Sequence, residues 1–368
     1  MSAAGARHLT RRRLLALVTG IALVAGPALA GCGGREPTHG GPIDGPNGAD
    51  LFSGAGSVWH QPVPDGASID PRSADYVRQL MVSKDKDKPR VLPVVSVNGY
   101  TVPVYDADAS TPRYRVEATE QFVSGGWTLP AVPIPATAAP DSRDDHHMVV
   151  VDRSAGCVYE FWGAQVKGSV WTASWVNATP VDGTGVYPDG LAARGTGISA
   201  AAGLIWPQEL AAGRIDHALV FATPWTRRDA AVPPATTSDG QSGPDIAALP
   251  AGARLRLDPA VDVDALGLTP EQRTIAVALQ RYGMILGDTS GSGLTLYASA
   301  PQSYFTFPYP AEWAKGTWAS IDAIPFDRMQ VLTLPTPSRK PTGGPVLNRC
   351  TQDAVHGQSL GTGSRDDE

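Results

Sequence analysis

The chain has 368 residues, with 30 basic and 36 acidic side chains and a formal net charge of −6 at pH 7. An acidic chain without clusters of Lys and Arg outside its amino terminus argues against binding to nucleic acid or to anionic lipid headgroups. Forty glycines and 33 prolines are typical of a chain in which many short elements are separated by turns.

The first 31 residues have the pattern of an export signal. Arg7 and the arginines at 11–13 form a positive segment, and the apolar stretch 14–24 is shorter than the ~20 residues that a membrane-spanning helix needs. The sequence from Leu29 to Cys32 (LAGC) resembles a bacterial lipobox, in which the cysteine receives lipid. The arginines also resemble a twin-arginine export signal. We therefore expect an exported protein, lipid-anchored through Cys32 to the outer face of the cytoplasmic membrane or the cell surface; the alternative is an ordinary signal peptide with an unmodified cysteine.

Composition divides the remainder into three parts. Residues 32–56 are rich in Gly, Pro and Asp and predict a flexible tether, residues 57–335 predict one folded domain, and the polar residues 336–368 predict a disordered tail. Removal of residues 1–31, which contain four arginines and no acidic residue, leaves 26 basic and 36 acidic residues and a net charge of −10.

Short apolar runs dominate the domain in chain order. Asp70-Pro71 begins a predicted helix, and residues 91–135 predict strands interrupted by prolines. Residues 144–164 predict a β-hairpin that turns at Gly156. Because alternate side chains of a strand point to opposite faces, Glu160 and Trp162 share one face of its second strand.

The second half of the domain continues this pattern. The Gly-rich stretch 182–203 is long for an inert connection, which is typical of functional loops. Residues 214–223 predict a strand with His217 in its middle, and residues 270–282 predict a helix with a Thr-x-x-Gln capping box. Residues 284–288 and 294–300 predict a second hairpin. Together these elements predict a mainly β fold, an antiparallel β-sandwich or jelly roll with two or three short helices.

Four motifs resemble a group of secreted or lipid-anchored bacterial proteins of largely unassigned function. They are Asp145-x-His147 with Asp152, followed by Cys157, Tyr159 and Glu160; Gly203-Leu204 with Glu209; Ile215-x-His217-Ala218-Leu219; and Arg281-Tyr282-Gly283-Met284-Ile285. The resemblance spans most of the domain and implies that these positions form one unit, but it implies no particular activity.

Two glutamates are the carboxylates that we pair for catalysis. Glycoside cleavage needs one carboxylic acid to protonate the leaving oxygen and a second carboxylate, ~5–9 Å away, as nucleophile or base. Glu160 and Glu209 are assigned these roles, and Trp162 beside Glu160 would bind the apolar face of a sugar ring. The alternative is that both glutamates are ordinary exposed carboxylates.

Four further residues are expected to support this pair. His217, in an apolar strand, would act in acid–base chemistry or orient a carboxylate, as would Asp145 or His147. Asp288 ends a strand after the strong helix and would bind substrate in the same pocket. The alternatives are a hydrogen-bonded core histidine for His217 and a turn aspartate for Asp288.

No metal site or cofactor is predicted. Asp145, His147 and Asp152 lack the spacing of zinc ligands, and calcium, which their oxygens would suit, has no EF-hand-like loop. Outside Cys32, Cys157 and Cys350 are left either to form a disulfide or to remain free thiols.

The function expected from these features is carbohydrate-active: a cell-surface lipoprotein that cleaves a polysaccharide or envelope glycan as a hydrolase or lyase. Its partners would be the membrane, through the lipid anchor, and the glycan. The alternative is a non-catalytic glycan-binding or envelope-structural lipoprotein.

Overall fold

The computed structural model describes residues 43–336, except 89, 121, 124–125 and 292, and residues 347–356. Its α-helices are α1 (Ser73–Leu80), α2 (Pro207–Ala212) and α3 (Pro270–Arg281), and its 3-10 helices are Pro188–Gly190, Val263–Leu266, Pro301–Ser303, Ala311–Lys315 and Phe326–Arg328. Its strands are β1 (Val94–Ser96), β2 (Val104–Ala107), β3 (Arg113–Ala118), β4 (Trp127–Pro133), β5 (Met148–Asp152), β6 (Cys157–Trp162), β7 (Gln165–Lys167), β8 (Val170–Ala173), β9 (Trp175–Pro180), β10 (Leu219–Thr223), β11 (Thr226–Ala231), β12 (Leu249–Ala251), β13 (Arg254–Leu257), β14 (Met284–Thr289), β15 (Thr295–Tyr297), β16 (Trp318–Ser320), β17 (Met329–Val331) and β18 (Val355–His356).

The strands form sheets of seven, five, four and two strands. Their orders are β16-β1-β15-β10-β14-β13-β17, β18-β4-β3-β8-β7, β2-β5-β6-β9 and β11-β12. Within the described ranges, nine strand pairs are antiparallel and five are parallel. The predicted mainly β fold with few short helices is confirmed.

Three apolar clusters stack the elements in layers. One lies between helices α1 and α3 and the seven-stranded sheet. A second lies between the seven-stranded and the four-stranded sheets, with Val220 and Ile285 on one side and Val149 and Val158 on the other. The third lies between the four-stranded and five-stranded sheets. The four-stranded sheet is therefore covered on both faces.

The hairpin of β5 and β6 occupies the middle of that covered sheet. The two strands pair antiparallel, with Met148 opposite Phe161 and Asp152 opposite Cys157, as predicted. Gly156 has a φ of 65°, which the turn requires. Because both faces are covered, every residue of β5 and all but the last of β6 are buried, and a polar side chain on these strands must find its partners inside the protein.

Two sequence predictions are corrected by the sheet order. Strands β14 and β15 do not form a hairpin, because β10 lies between them, parallel to β14 and antiparallel to β15. Placing β10 between β14 and β15 allows all three strands to bury apolar side chains. A prediction from neighbouring residues does not take this long-range pairing into account. Strand β10 begins at Leu219, so His217 precedes the strand instead of standing in its middle.

The domain is longer than its predicted bounds at both ends. In the segment predicted as a tether, Leu51 and Phe52 are buried. In the segment predicted as a disordered tail, β18 pairs with β4, and Cys350 forms a disulfide with Cys157. Each segment has a loop-like composition, but it also contains apolar side chains, backbone groups or a cysteine that interact with the rest of the domain. The predicted signal peptide and Cys32 lie outside the described residues.

Helix α3 keeps its predicted start. Thr269 accepts a hydrogen bond from the Gln272 amide, and the Gln272 side chain accepts one from the Thr269 amide, as the capping box predicts. Helix α1 begins at Ser73, two residues later than Pro71 would place it. Among the helices of the described ranges, none has both the length and the apolar character for crossing a bilayer.

Candidate functional site

Glu160 is a fully buried carboxylate with three hydrogen bonds. Its Oε1 accepts from the Ala193 amide at 2.8 Å, and its Oε2 accepts from the Ser199 hydroxyl and the Ala200 amide, both at 2.8 Å. Burial raises the pKa of Glu160, and these hydrogen bonds, with the nearby positive charge of Arg194, oppose the rise. The carboxylate therefore pins the 193–200 part of the Gly-rich loop onto β6.

Glu209 and His217 form a second buried unit. Glu209 Oε2 lies 3.1 Å from His217 Nε2 and accepts the Trp206 amide at 3.3 Å, while His217 Nδ1 lies 3.0 Å from the Ala218 carbonyl. Burial alone would lower the pKa of His217, but the Glu209 carboxylate and the Ala218 carbonyl outweigh it and raise the pKa. Because both ring nitrogens face acceptors, the protonated imidazolium satisfies both.

These two glutamates, predicted as a catalytic pair, belong to separate hydrogen-bonded units. Within the described residues, the hydrogen-bond partners of Glu160 and those of Glu209 have no member in common. Each glutamate is almost fully buried, at 0% and 7% exposure. Each also has hydrogen-bonded partners that explain its burial without catalysis. The geometry favours structural roles for Glu160, Glu209 and His217.

A different constellation centres on Arg194, which lies in the same Gly-rich loop. Its Nη1 donates to the carbonyls of Ser199 and Ala202, at 2.9 and 3.3 Å, and its Nε lies 3.8 Å from Asp288 Oδ2. Its guanidinium carbon lies 4.9 Å from the centre of the Tyr297 ring. In the described part of the chain, Nη2 is buried and has no hydrogen-bond partner. A buried guanidinium nitrogen without a hydrogen-bond partner is uncommon and requires an explanation.

Asp288, from the end of β14, is the most perturbed acid of this cluster. Its Oδ1 accepts the Thr289 amide at 2.9 Å, and the Tyr297 hydroxyl lies 3.4 Å from its Oδ2. Burial and then the negative charge of Asp239 raise its pKa to about 7, against the opposing effect of Arg194. The side chain nevertheless keeps 20% of its surface exposed. Asp288 is therefore a carboxyl group that is partly protonated at neutral pH and reachable from solvent.

Two further carboxylates face Asp288. Asp239 accepts a hydrogen bond from the Thr289 hydroxyl at 2.6 Å. Gly195 permits its approach, since a Cβ at position 195 would lie 2.8 Å from the Asp239 Cβ. The charge of the exposed Asp145 also raises the pKa of Asp288. Asp239 and Asp145 thus act as negative charges on Asp288, the carboxyl group beside Arg194. We call Asp145, Arg194, Asp239, Asp288 and Tyr297 the Arg194 cluster.

His147 lies beside this cluster and is neutral. Burial lowers its pKa, and Arg194 acts in the same direction, against the opposing charge of Asp145. Its Nδ1 lies 3.3 Å from the Phe161 carbonyl, so Nδ1 carries the proton and Nε2 carries the lone pair. A neutral histidine in this state is able to accept a proton.

Trp162 continues β6 beyond Glu160 and is half-buried. It stacks on Phe122, with ring centres 6.3 Å apart and planes 27° apart, and 57% of Phe122 is exposed. The Asp145 carbonyl accepts the amide of Gly163, the residue after Trp162. This places the aromatic pair next to the Asp145 end of the cluster, where a sugar ring would find an apolar face.

The remaining predicted groups lie elsewhere. The Cys157–Cys350 disulfide lines a surface cavity of about 320 Å³ with Arg113 and Arg349. Both arginines already have carboxylate partners, at 2.9 and 2.7 Å, and Asp152, the partner of Arg113, is fully buried. Among the residues that the structure describes, no group of three His, Cys, Asp or Glu side chains is arranged to hold a metal ion.

The structure thus brings together Asp145, His147 and Asp288 from the predicted set, with Trp162 close by. Sequence reasoning missed Arg194, Asp239 and Tyr297. One signal was available: Arg194 is the one basic residue in the Gly- and Ala-rich stretch 182–203, and a charged side chain that such a stretch buries requires a partner. Comparison of the chain with family models, curated proteins and solved structures finds no match.

Proposed function

We propose that this protein is an exported, lipid-anchored enzyme that cleaves a polysaccharide or envelope glycan at the Arg194 cluster. The observation that supports this proposal is the contact of Asp288 with the buried Arg194, where burial and the charge of Asp239 raise the Asp288 pKa to about 7, so that this carboxyl group is partly protonated at neutral pH. This proposal moves the catalytic pair from Glu160 and Glu209 to Asp288 and a flanking aspartate.

In the proposed reaction Asp288 is the general acid. Hydrolysis of a glycosidic bond needs a protonated carboxyl group at the leaving oxygen and an ionised carboxylate as nucleophile or base. A pKa of about 7 suits the first role, and Asp145 or Asp239 takes the second. Tyr297 orients Asp288 through its hydroxyl, 3.4 Å away, and Arg194 lies 3.8 Å from the same carboxyl group. Trp162 and Phe122 bind the sugar ring.

A lyase at the same cluster is the second candidate, and His147 favours it. In β-elimination a neutral base removes the proton next to a sugar carboxylate, the glycosidic C–O bond breaks, and the leaving oxygen takes a proton from an acid. His147 Nε2 carries a lone pair for the first role, and protonated Asp288 would supply the second proton. Tyr297 does not suit this base role, because burial and the Asp288 charge raise its pKa well above the usual range and keep the phenol protonated.

The test is incubation of the purified protein with a panel of envelope and plant glycans. New reducing ends without unsaturation indicate a hydrolase, and unsaturated products indicate a lyase. We expect Asp288→Asn to abolish cleavage, whereas the control Asp258→Asn retains it, since Asp258 pairs with Arg328 and is equally buried, with 19% of its side chain exposed.

Two outcomes would contradict the proposal. Loss of activity in Glu209→Gln together with retained activity in Asp288→Asn would return the catalytic role to the pair predicted from the sequence. Binding of a glycan without cleavage by the parent protein would favour a non-catalytic glycan-binding lipoprotein.

A further inference from the structure

The first described residues of the chain are fixed against one loop. The Tyr304 hydroxyl donates to the Pro46 carbonyl at 2.8 Å, and the Tyr304 ring packs against Gly45, where a side chain would collide with it. Gln208 Nε2 also donates to the Pro46 carbonyl, at 3.2 Å. The amino-terminal segment therefore enters the domain beside Tyr304.

The residues that follow Tyr304 are apolar and exposed. Phe305 has 98% of its surface exposed, and Phe307 is exposed as well. We call residues 305–307 the aromatic tip. A phenylalanine that is almost fully exposed gains no hydrophobic stabilisation in the isolated domain, and with Phe307 two residues away it forms an apolar pair instead of a single scattered side chain.

The base of the aromatic tip is held by buried aromatic rings. Phe307 makes an edge contact with Tyr309, whose ring stacks on Trp313 with centres 5.6 Å apart. The Tyr309 hydroxyl donates to the Ser299 carbonyl at 2.7 Å. Phe305 is therefore presented outward from a fixed base and loses little conformational freedom on binding.

The position of the tip relates it to the proposed lipid anchor. Ten residues separate Cys32 from Ile43, and a fully extended chain of that length reaches at most about 40 Å. An anchor at Cys32 thus limits the distance between the entry point beside Tyr304 and the bilayer to about 40 Å. Tethering also turns contact between tip and bilayer into an intramolecular step with a high effective concentration.

Charge near the entry point argues for apolar insertion. Asp50 and Asp106 lie there, each 3.5 Å from Arg153, and Asp44 adds a further negative charge. These three acidic residues outnumber Arg153, so this surface does not attract anionic headgroups. We propose that the aromatic tip inserts into the interface of the bilayer to which Cys32 is anchored, and that it holds this face of the domain on the membrane. The proposal rests on the lipid anchor of the proposed function.

The experiment places a fluorescent reporter at Thr306 in the full, lipidated chain reconstituted in phosphatidylcholine vesicles. Thr306→Cys keeps both phenylalanines, and the disulfide between Cys157 and Cys350 leaves the new thiol free for labelling. Val170→Cys is the control, because Val170 is an exposed apolar residue, 61% accessible, on strand β8. A quencher carried by the lipid chains is compared with iodide in the water.

We expect lipid quenching at position 306 and iodide quenching at position 170. Adding Phe305→Ala to the Thr306 reporter should lower the ratio of docked to undocked domain about tenfold, the size expected for partial burial of one phenylalanine. Adding Val170→Ala should leave that ratio unchanged. Neither high salt nor added phosphatidylglycerol should change it either.

Three results would overturn the inference. Iodide quenching at both positions in vesicle-bound protein would reject the docking surface and leave the anchor in place. Docking that requires phosphatidylglycerol and disappears with salt would show an electrostatic contact instead. A chain that does not float with the vesicles would reject both the anchor and the docking surface.

Discussion

Asp288 gives the sharpest prediction, because its replacement by Asn should affect stability and activity in opposite directions. Its folded-state pKa is about 7 and its ordinary value is 3.8, a rise of about three units, which corresponds to about 4 kcal/mol. Between these two values the folded state binds more protons than the unfolded state, so stability falls as the pH rises from about 4 to about 7. Ionised Asp288 therefore destabilises the fold at alkaline pH.

Replacement of Asp288 by Asn removes this ionisation and keeps the shape. We expect Asp288→Asn to be more stable than the parent at pH 8, by at most about 4 kcal/mol, because water reaches part of the side chain and reduces the effect. Between pH 5 and pH 8 the advantage should grow by about 3 kcal/mol or less. The same variant should have lost glycan cleavage.

Urea unfolding of both proteins at pH 5 and pH 8 measures this difference. Asp258→Asn is the matched control: backbone donation from Ala260 and the Arg328 pair lower the pKa of Asp258, so this variant should be destabilised equally at both pH values. If Asp288→Asn is less stable than the parent at pH 8, Asp288 is an ordinary ion-pair partner of Arg194. That result would refute its role as the acid.

The other predictions concern groups that we regard as structural. The pKa of His217 is raised in the folded protein. The stability from its pair with Glu209 is therefore present below its usual pKa of 6.5 and is lost as the pH rises through the raised value. Urea unfolding should show that Glu209→Gln costs more stability at pH 6 than at pH 9. Glu160→Gln should cost about 3 kcal/mol, because its amide would face donors, and should lower the thermal midpoint without removing activity from the folded fraction. Cys157→Ser should lower stability by about 5 kcal/mol, since the bond to Cys350 closes a loop of 193 residues.

Short-range patterns in the sequence predict the local elements well. The hairpin of β5 and β6 follows from alternation and a turn glycine, and helix α3 follows from its Thr269–Gln272 capping box. The environment of β6 does not follow from such patterns. The alternating pattern predicts one solvent face, whereas packing of a sheet on each side leaves Glu160 with none. Only the stacking of elements distant in the chain decides this.

The Arg194 cluster shows the same limit. Its members come from the hairpin, the Gly-rich stretch 182–203, the loop before β12 and the two strands that flank β10. The sequence identifies Asp145 and Asp288 separately, but the relation of Asp288 on β14 to Tyr297 on β15 depends on β10 lying between these strands. The sequence alone favours a hairpin of β14 with β15, and such a hairpin would change the position of Tyr297 relative to Asp288.

The distinction between structural and reactive carboxylates follows from how completely each charge is compensated. Glu160 receives three hydrogen bonds, and Glu209 receives an imidazolium and a backbone amide. Asp288 receives one backbone amide, a long contact with a tyrosine and an arginine 3.8 Å away, while Arg194 keeps one buried nitrogen unpaired. Two buried carboxylates are thus fully compensated, whereas the third, which is open to solvent, is compensated only in part. In the described residues, the case for chemistry at Asp288 is therefore stronger than at either glutamate.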